Sequence, residues 1–543
     1  MPHSFDHVRR ATEAALEAAD AHAAITALRP HARAHAAEEG ARFRELLTRI
    51  PENAWQDDVE LASAMGVSYR AAGSPRGSAA LGYLEAAEAV VASSGRDPAE
   101  RIIVRLAHVD ALRSLGRIDA AAEALASVRE LEQTLVDLPV PLRVELGART
   151  ALATGMLALH RGEFLAARRE LEFANGLAPT HLTRAEQVEC LGGLAIVEYI
   201  ECNLPSSERH ANASRALAAG SSLAASGYAA PALAAATFVA VDRGDLARAA
   251  ELEPEMLDAA CRNDWEPFAY IVAGYHRLAD RQLADGLDYL ERATRGFRTW
   301  TGSFFGRSVA ELLRATLLVH FDQDEEAWSI LHRLPSFEQH VLCPPRIVAL
   351  LRLGLGDLNG AADALRDCER LGDAHSVRTL MEVRMLRAAI EYQRGELTLS
   401  DAFFDRSLAT VLRTGSIAPL RIVPPATLGG LAARALERHP EDAAGDLLRL
   451  IAARVDQAAP DIDPLSPREL LVLAEVEKGS TVGAIAAALY VSPNTVKTHL
   501  RRLYRKLGVS TRADAVRVAT ALGLGRRITL DSPVPQIADT SPS

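Results

Sequence analysis

The hexapeptide GDLARA, residues 244–249, decides how this chain folds, because variants of it return as GRIDAA at Gly116, GEFLAA at Gly162 and GDLNGA at Gly356, with a looser GELTLSDA at Gly395. The shared pattern is G-x-[ILF]-x-x-A. Its glycines stand 46, 82, 112 and 39 residues apart, and degenerate copies near Asn203, Arg281 and Gln323 divide the long gaps into steps of 33 to 42. A recurring interval of about 40 residues marks a repeat architecture. In each copy the glycine ends one helix in a left-handed turn, and the acidic or polar residue after it caps the next helix. The apolar residue and the alanine then pack the second helix on the first. Each copy therefore predicts a helical hairpin. One hairpin cannot bury its own apolar faces, so successive hairpins stack into a superhelix with an extended concave surface. The competing reading, an irregular bundle in which G-[DE]-[ILF] is only a common turn, does not account for the shared spacing.

Composition agrees with an all-α chain. Aromatic residues make up 5% and the 49% apolar fraction is dominated by alanine and leucine, while β-branched runs bounded by turn residues are scarce. At 543 residues the chain exceeds one compact core, and an extended array accommodates that length. Cys190, Cys202, Cys261, Cys343 and Cys368 show no C-x-x-C spacing, which speaks against a zinc ribbon, a redox pair or a disulfide scaffold and for a reducing, cytoplasmic setting. Charges in MPHSFDHVRRATEAALEAAD occupy the place where a signal peptide needs an apolar core. Ala216 to Val241 carries no charged side chain, yet Gly220, Ser221, Ser222, Ser226, Gly227 and Pro231 interrupt it. It reads as two short buried helices meeting at a turn rather than a membrane span.

These signals divide the chain into a helical-repeat region, 1–455, an acidic proline-containing linker, 456–464, a basic unit, 465–527, and a disordered tail, 528–543. Residues 1–100 are helical in pattern without a clear copy of the motif, and read as a divergent cap or a separate small bundle. Within 465–527 stand eleven basic and four acidic residues, so a module of charge +7 rides on a body of −18. That asymmetry is the electrostatic footprint of a nucleic-acid binder.

Helix punctuation in the basic unit is legible. Ser466-Pro467-Arg468-Glu469 forms a capping box opening a helix that stops at Gly479, and a second helix runs from about Val482 to Leu489. Ser492 and Pro493 start a third, in VSPNTVKTHLRRLYRKLG, and Thr511 with Asp514 caps a fourth that reaches roughly Leu522. On the third helix Val496, Leu500, Leu503 and Leu507 share one face, while Asn494, Lys497, Thr498, Arg501 and Arg505 share the opposite one. One face is core, and the other is presented as a helix in the DNA major groove would be.

The succession LSPRELLVL, G-x(5)-I-A-x-x-L and VSPNTVKTHL-x-x-LYRKLGV resembles the LuxR/FixJ-type helix-turn-helix over Leu465 to Leu524. The repeats, for their part, resemble the degenerate tetratricopeptide-type array of MalT-like bacterial regulators. The first resemblance implies base reading by Lys497, Thr498 and Arg501, phosphate contacts from Asn494, Thr495, Arg505 and Lys506, and a homodimer on DNA built on the fourth helix. For Arg502 and Arg512 a DNA role and a solvated surface charge stand as equals. This chain departs from the family in the second helix, where Thr481-Val482-Gly483-Ala484 replaces the usual charged residues and implies less backbone contact there.

Large regulators of this type commonly carry an ATPase domain, but the chain's three lysines, Lys478, Lys497 and Lys506, all fall in the basic unit. No P-loop lysine exists. His31 and His35 have the spacing of a zinc-binding helix without the glutamate of H-E-x-x-H or a third ligand, and no catalytic constellation is visible, so neither a metal, a cofactor nor an enzyme is expected. The expectation is a cytoplasmic transcription regulator that binds double-stranded operator or promoter DNA as a dimer. It would take a protein, peptide or small-molecule effector on its repeats, engage RNA polymerase, and have no membrane partner. The alternative is a protein-interaction scaffold with a non-regulatory DNA-binding module.

Overall fold

The structure is a computed structural model that describes residues 4–71, 78–93, 98–134, 138–321, 323–335, 341–372, 375–439, 444–449, 465, 467–507, 509 and 511–521. The predicted linker and the predicted tail lie outside these residues. Among the described residues the chain is helical without a strand, and one isolated bridge joins Arg117 to Thr301.

The hairpin around Gly244 shows how the motif works. Helix Ala230–Arg243 ends where Gly244 takes φ +80°, a left-handed conformation that costs a side-chain-bearing residue roughly 1 kcal/mol or more. The backbone N–H of Asp245 then turns back to the Ala240 carbonyl at 2.9 Å, and its side chain accepts the N–H of Arg248 at 3.0 Å. Helix Leu246–Ala260 follows, burying Ala249, Leu252, Met256 and Ala260 against its predecessor. The same bond to the carbonyl five residues back closes the turns at Arg117, Glu163, Asn203, Gln282, Gln323, Asp357 and Glu396, at 2.8–3.0 Å. At two of the degenerate copies the left-handed residue is not glycine: Cys202 has φ +62° and Arg281 φ +60°. Near the N-terminus the turn also occurs where no motif is legible, at Ala19 (φ +57°), followed by Asp20 as cap.

Between residues 78 and 438 the helices pack chiefly on their sequence neighbours and next on the helix two along, the contact pattern of a stacked array. Residues 5–68 fold around a core of their own, with Phe5, Leu28, Phe43, Leu47, Trp55, Leu61 and Met65 buried. His35 sits there edge-on to Phe5 at 5.3 Å. The charge-free stretch resolves into the end of helix Leu204–Ala218, a short 3-10 turn at Ser222–Ala225 and helix Ala230–Arg243. Among the described residues no helix is long and apolar enough to cross a membrane.

The array is curled tightly enough for distant repeats to meet, and they meet through buried ions. Arg70 forks onto Glu189 at 2.6 and 3.1 Å, and Arg113, fully buried, bonds Glu189 at 2.7 Å and also Asp264. His160 Nε2 lies 3.3 Å from Asp264, and the Arg70 guanidinium lies 4.4 Å from the centre of the Tyr228 ring. A second clasp centres on buried Asp242. Its carboxylate accepts the Tyr275 hydroxyl at 2.7 Å, the Arg378 guanidinium and the Ser416 hydroxyl, and its carbonyl accepts the Ile417 N–H at 2.8 Å. Beside Arg117, the N–H groups of Ile118 and Thr301 bond to Thr301 and Gly116 carbonyls at 3.1 Å. That contact brings Trp300 onto Gly116, where a Cβ would stand 2.4 Å from the indole.

Two predictions follow from this packing. Gly116→Ala meets both the left-handed backbone (φ +72°) and Trp300, whereas Gly356→Ala meets only the backbone (φ +75°) with open space around it. Urea unfolding should therefore show a loss of about 1 kcal/mol for the second and clearly more for the first; equal losses would contradict the close approach. Burial alone would raise the Asp264 carboxyl, but Arg113 beside it holds it well below its usual range, and Glu189 is likewise held down, against burial, by Arg70. Their contribution to stability is then complete above the unfolded carboxylate range, about pH 4–5, and is lost as pH falls below it. Asp264→Asn, which leaves Arg113 short of a buried countercharge, should cost about 3–5 kcal/mol at neutral pH and flatten this acid dependence.

Candidate nucleic-acid interface

The C-terminal unit folds as four helices, Pro467–Glu477, Val482–Ala488, Pro493–Lys506 and Arg512–Ala521. Their apolar faces meet in a small core of Val472, Leu473, Val476, Ile485, Val496, Leu503, Leu507, Ala515 and Ala519. Gly479, at φ +82°, ends the first helix, and Thr481 caps the second by accepting the N–H of Ala484 at 3.3 Å. Tyr490 makes the tight turn into the third helix. It holds φ +53° with its side chain 97% exposed, and the Val491 N–H behind it bonds the Ala486 carbonyl at 3.0 Å. Ser492 caps the third helix through the N–H of Thr495 at 3.1 Å, with Pro493 at its first position. Thr511 accepts the N–H of Asp514 at 3.2 Å to open the fourth. Ser466 of the expected first capping box lies outside the described residues.

The third helix separates its side chains as the spacing predicts. Val496, Leu503 and Leu507 are buried and Leu500 is half-buried, while Asn494, Lys497 and Arg501 are exposed. Thr498 is half-buried with its hydroxyl donating to the Asn494 carbonyl at 3.1 Å, and the Thr495 hydroxyl pairs with that of Ser492 at 2.8 Å. Lys497, Thr498 and Arg501, the expected base readers, thus come together on one helix whose first turn is fixed by a cap and a proline. Asn494 and Thr495 lie at the start of the same helix.

The cations at the other end of the helix have partners within the chain. Lys506 turns inward, its ammonium 2.6 Å from the carboxylate of Glu469, which is fully buried. The pair ties the end of the third helix to the first. Arg505 stays exposed but donates to the Gly354 carbonyl of the array, and Arg502, 6% exposed, pairs with Asp324 there. Arg512 is a structural tie as well: its guanidinium donates at 2.7 Å both to the Ser480 carbonyl and to that of Val476, closing the end of the first helix. Arg468 does the same for Leu489 at 2.6 Å. Sequence spacing carried no sign of these five ties, since each joins positions more than twenty residues apart or on separate units. The one hint was Glu469, a carboxylate at a position that faces the module's core.

Residues 463–519 match the sequence profile described as "Bacterial regulatory proteins, luxR family". The chain is 44% identical over 95 residues to a protein of Mycobacterium tuberculosis named "Probable transcriptional regulatory protein NarL", a span covering 18% of this chain and 35% of that one. It is 48% identical over 59 residues to "HTH-type transcriptional regulator MalT" of Yersinia enterocolitica, covering 11% of this chain and 6% of that one. The chain thus spans about a third or less of the length of these curated relatives. Among solved structures, a Rap protein complexed with Competence and Sporulation Factor aligns over 62% of this chain and 93% of its own, at 15% identity and a TM-score of 0.45. With four helices at the expected positions, the capped third helix and the profile match in register, the C-terminal unit of this helical-repeat chain is a LuxR-type helix-turn-helix module.

Proposed function

We propose that this chain is a sequence-specific DNA-binding transcription regulator whose C-terminal module reads an operator and whose helical array receives the controlling signal. The observation that carries this reading is the exposed face of helix Pro493–Lys506. Lys497 and Arg501 project there beside Thr498, on a helix held rigid by its cap and by the module's core. Long cations at such positions reach guanine O6 and N7 in the major groove, and the capped first turn brings Asn494 and Thr495 to the phosphates. In this proposal Arg505 and Lys506 add backbone contacts at the far end, which requires Arg505 to leave the Gly354 carbonyl and Lys506 to leave Glu469. The module would pair with a second copy through helix Arg512–Ala521 on a roughly palindromic site and act on RNA polymerase in the cytoplasm.

The signal is proposed to be a protein, peptide or small molecule bound by the repeats. The cleft between Arg70, Asp110, Tyr228 and Asn263 holds only about 20 Å³, the space of one water, so the place to look for an effector is outside that ion-filled interior.

Binding of the full chain to promoter fragments should fall with salt, with a slope of about −0.9 per phosphate neutralised. A complex indifferent to salt, or none with any fragment recovered by genome-wide mapping, would refute the reading. Lys497→Ala and Arg501→Ala should each lower affinity by about 1–3 kcal/mol and relax preference at one base position, whereas Arg505→Ala should weaken all sequences alike. Lys506→Ala differs from all three, because it abandons Glu469 in the core and should lower the melting temperature of the module as well as its affinity. Indistinguishable specificity profiles for Lys497→Ala and Arg505→Ala would remove the division between readers and anchors.

A further inference from the structure

Cys343 and Cys368 lie 25 positions apart in sequence, but their sulfurs lie 3.3 Å apart in the core of the second half of the array, 1% and 0% exposed. Cys343 immediately precedes helix Pro344–Gly354, and Cys368 lies in the last turns of its hairpin partner, helix Leu358–Leu371. A disulfide needs the two sulfurs to close by only about 1.2 Å. Both belong to the apolar core of this half of the array, with Leu365, Met385 and Leu386. Arg346, one turn into the Cys343 helix and ion-paired with Glu382, acts on both. None of this belongs to the DNA module, and the third helix of that module touches the same hairpin at the Gly354 carbonyl.

We propose that Cys343 and Cys368 are an oxidation site, forming a reversible disulfide when the folded protein meets a peroxide. Cys343, at a helix N-terminus with a guanidinium nearby, is placed to supply the thiolate. Its sulfur attacks one peroxide oxygen, the O–O bond breaks, and the departing oxygen leaves as water after taking a proton, giving a sulfenic acid. The contact with Cys343 and burial both push the Cys368 thiol up, so this sulfur keeps its proton until the second step. It then attacks the sulfenic sulfur, and the expelled hydroxide carries that proton away as a second water. Two thiols lose two electrons, and one peroxide becomes two waters. Burial makes the reaction depend on local opening of the hairpin, while it shields the product from everything but thiol reductants that reach it the same way.

The test is to expose the full chain to hydrogen peroxide, alkylate it under denaturing conditions and map its peptides by mass spectrometry. The exposed Cys261 serves as an internal reference. The expected result is a species 2 Da lighter than the reduced pair, with the Cys343 and Cys368 peptides joined and separated again by dithiothreitol. In Cys368→Ser the joined species should vanish and a sulfenic acid at Cys343 should be trapped by dimedone. Recovery of both cysteines as alkylated thiols while Cys261 is oxidised would overturn the proposal. So would conversion of either to a sulfinic acid without a bond between them.

Discussion

A stack of helical hairpins is ordered only as far as the angle within each hairpin is fixed, and here that angle is set by one left-handed residue and the backbone bond that follows it. The left-handed φ reverses the chain and the bond to the carbonyl five residues back holds the reversal; the expected side-chain cap is made only where the next residue is aspartate, at Asp20, Asp245 and Asp357, while the longer Glu163, Gln282, Gln323 and Glu396 and also Asn203 make no such bond. Repeated along the array with bond lengths that differ by no more than 0.2 Å, this turn gives every hairpin nearly the same geometry. Small residues then do the packing. Gly155, for example, lies so close to Leu171 that a Cβ would stand 2.6 Å from it, which suits an alanine-rich sequence poor in aromatic residues.

What the turns leave undecided is how far the superhelix curls. That is settled by charge. Arg70, Arg113, Glu189 and Asp264 come from four separate parts of the chain, and their mutual pairing is worth having only when all four are in place, since any one left alone in that interior would carry a large desolvation cost. The interior there is an ionic core sheathed by Tyr228, Trp265 and Trp300.

Much of this was legible in the sequence because it is local. The glycine of each clear motif copy took the left-handed conformation, and the interpolated copies at Asn203 and Arg281 proved to be the same turn with Cys202 and Arg281 in glycine's place. Those two were hard to see for a physical reason: the surrounding bonds can impose a strained φ on a side-chain-bearing residue, so identity no longer signals conformation. The DNA module was read helix by helix for the same cause, since caps and prolines act within four residues. Long-range partners were not legible. Nothing in the spacing of cysteines places Cys343 beside Cys368. Likewise, nothing in the spacing of the basic helix shows that the fold brings the buried Glu469 to Lys506.

Repeat arrays ordinarily tolerate gain or loss of a unit, because each repeat meets only its neighbours and the new end resembles the old one. Asp242 removes that freedom. Its carboxylate and carbonyl hold residues 378, 416 and 417, well over a hundred positions along the chain, at one fixed point on the curl. Adding or deleting a hairpin between 245 and 375 would rotate those partners away from it by a full repeat. The number of hairpins in that span is therefore a counted quantity. Substitution of single residues is compatible with that clasp, whereas gain or loss of a whole hairpin in this span is not.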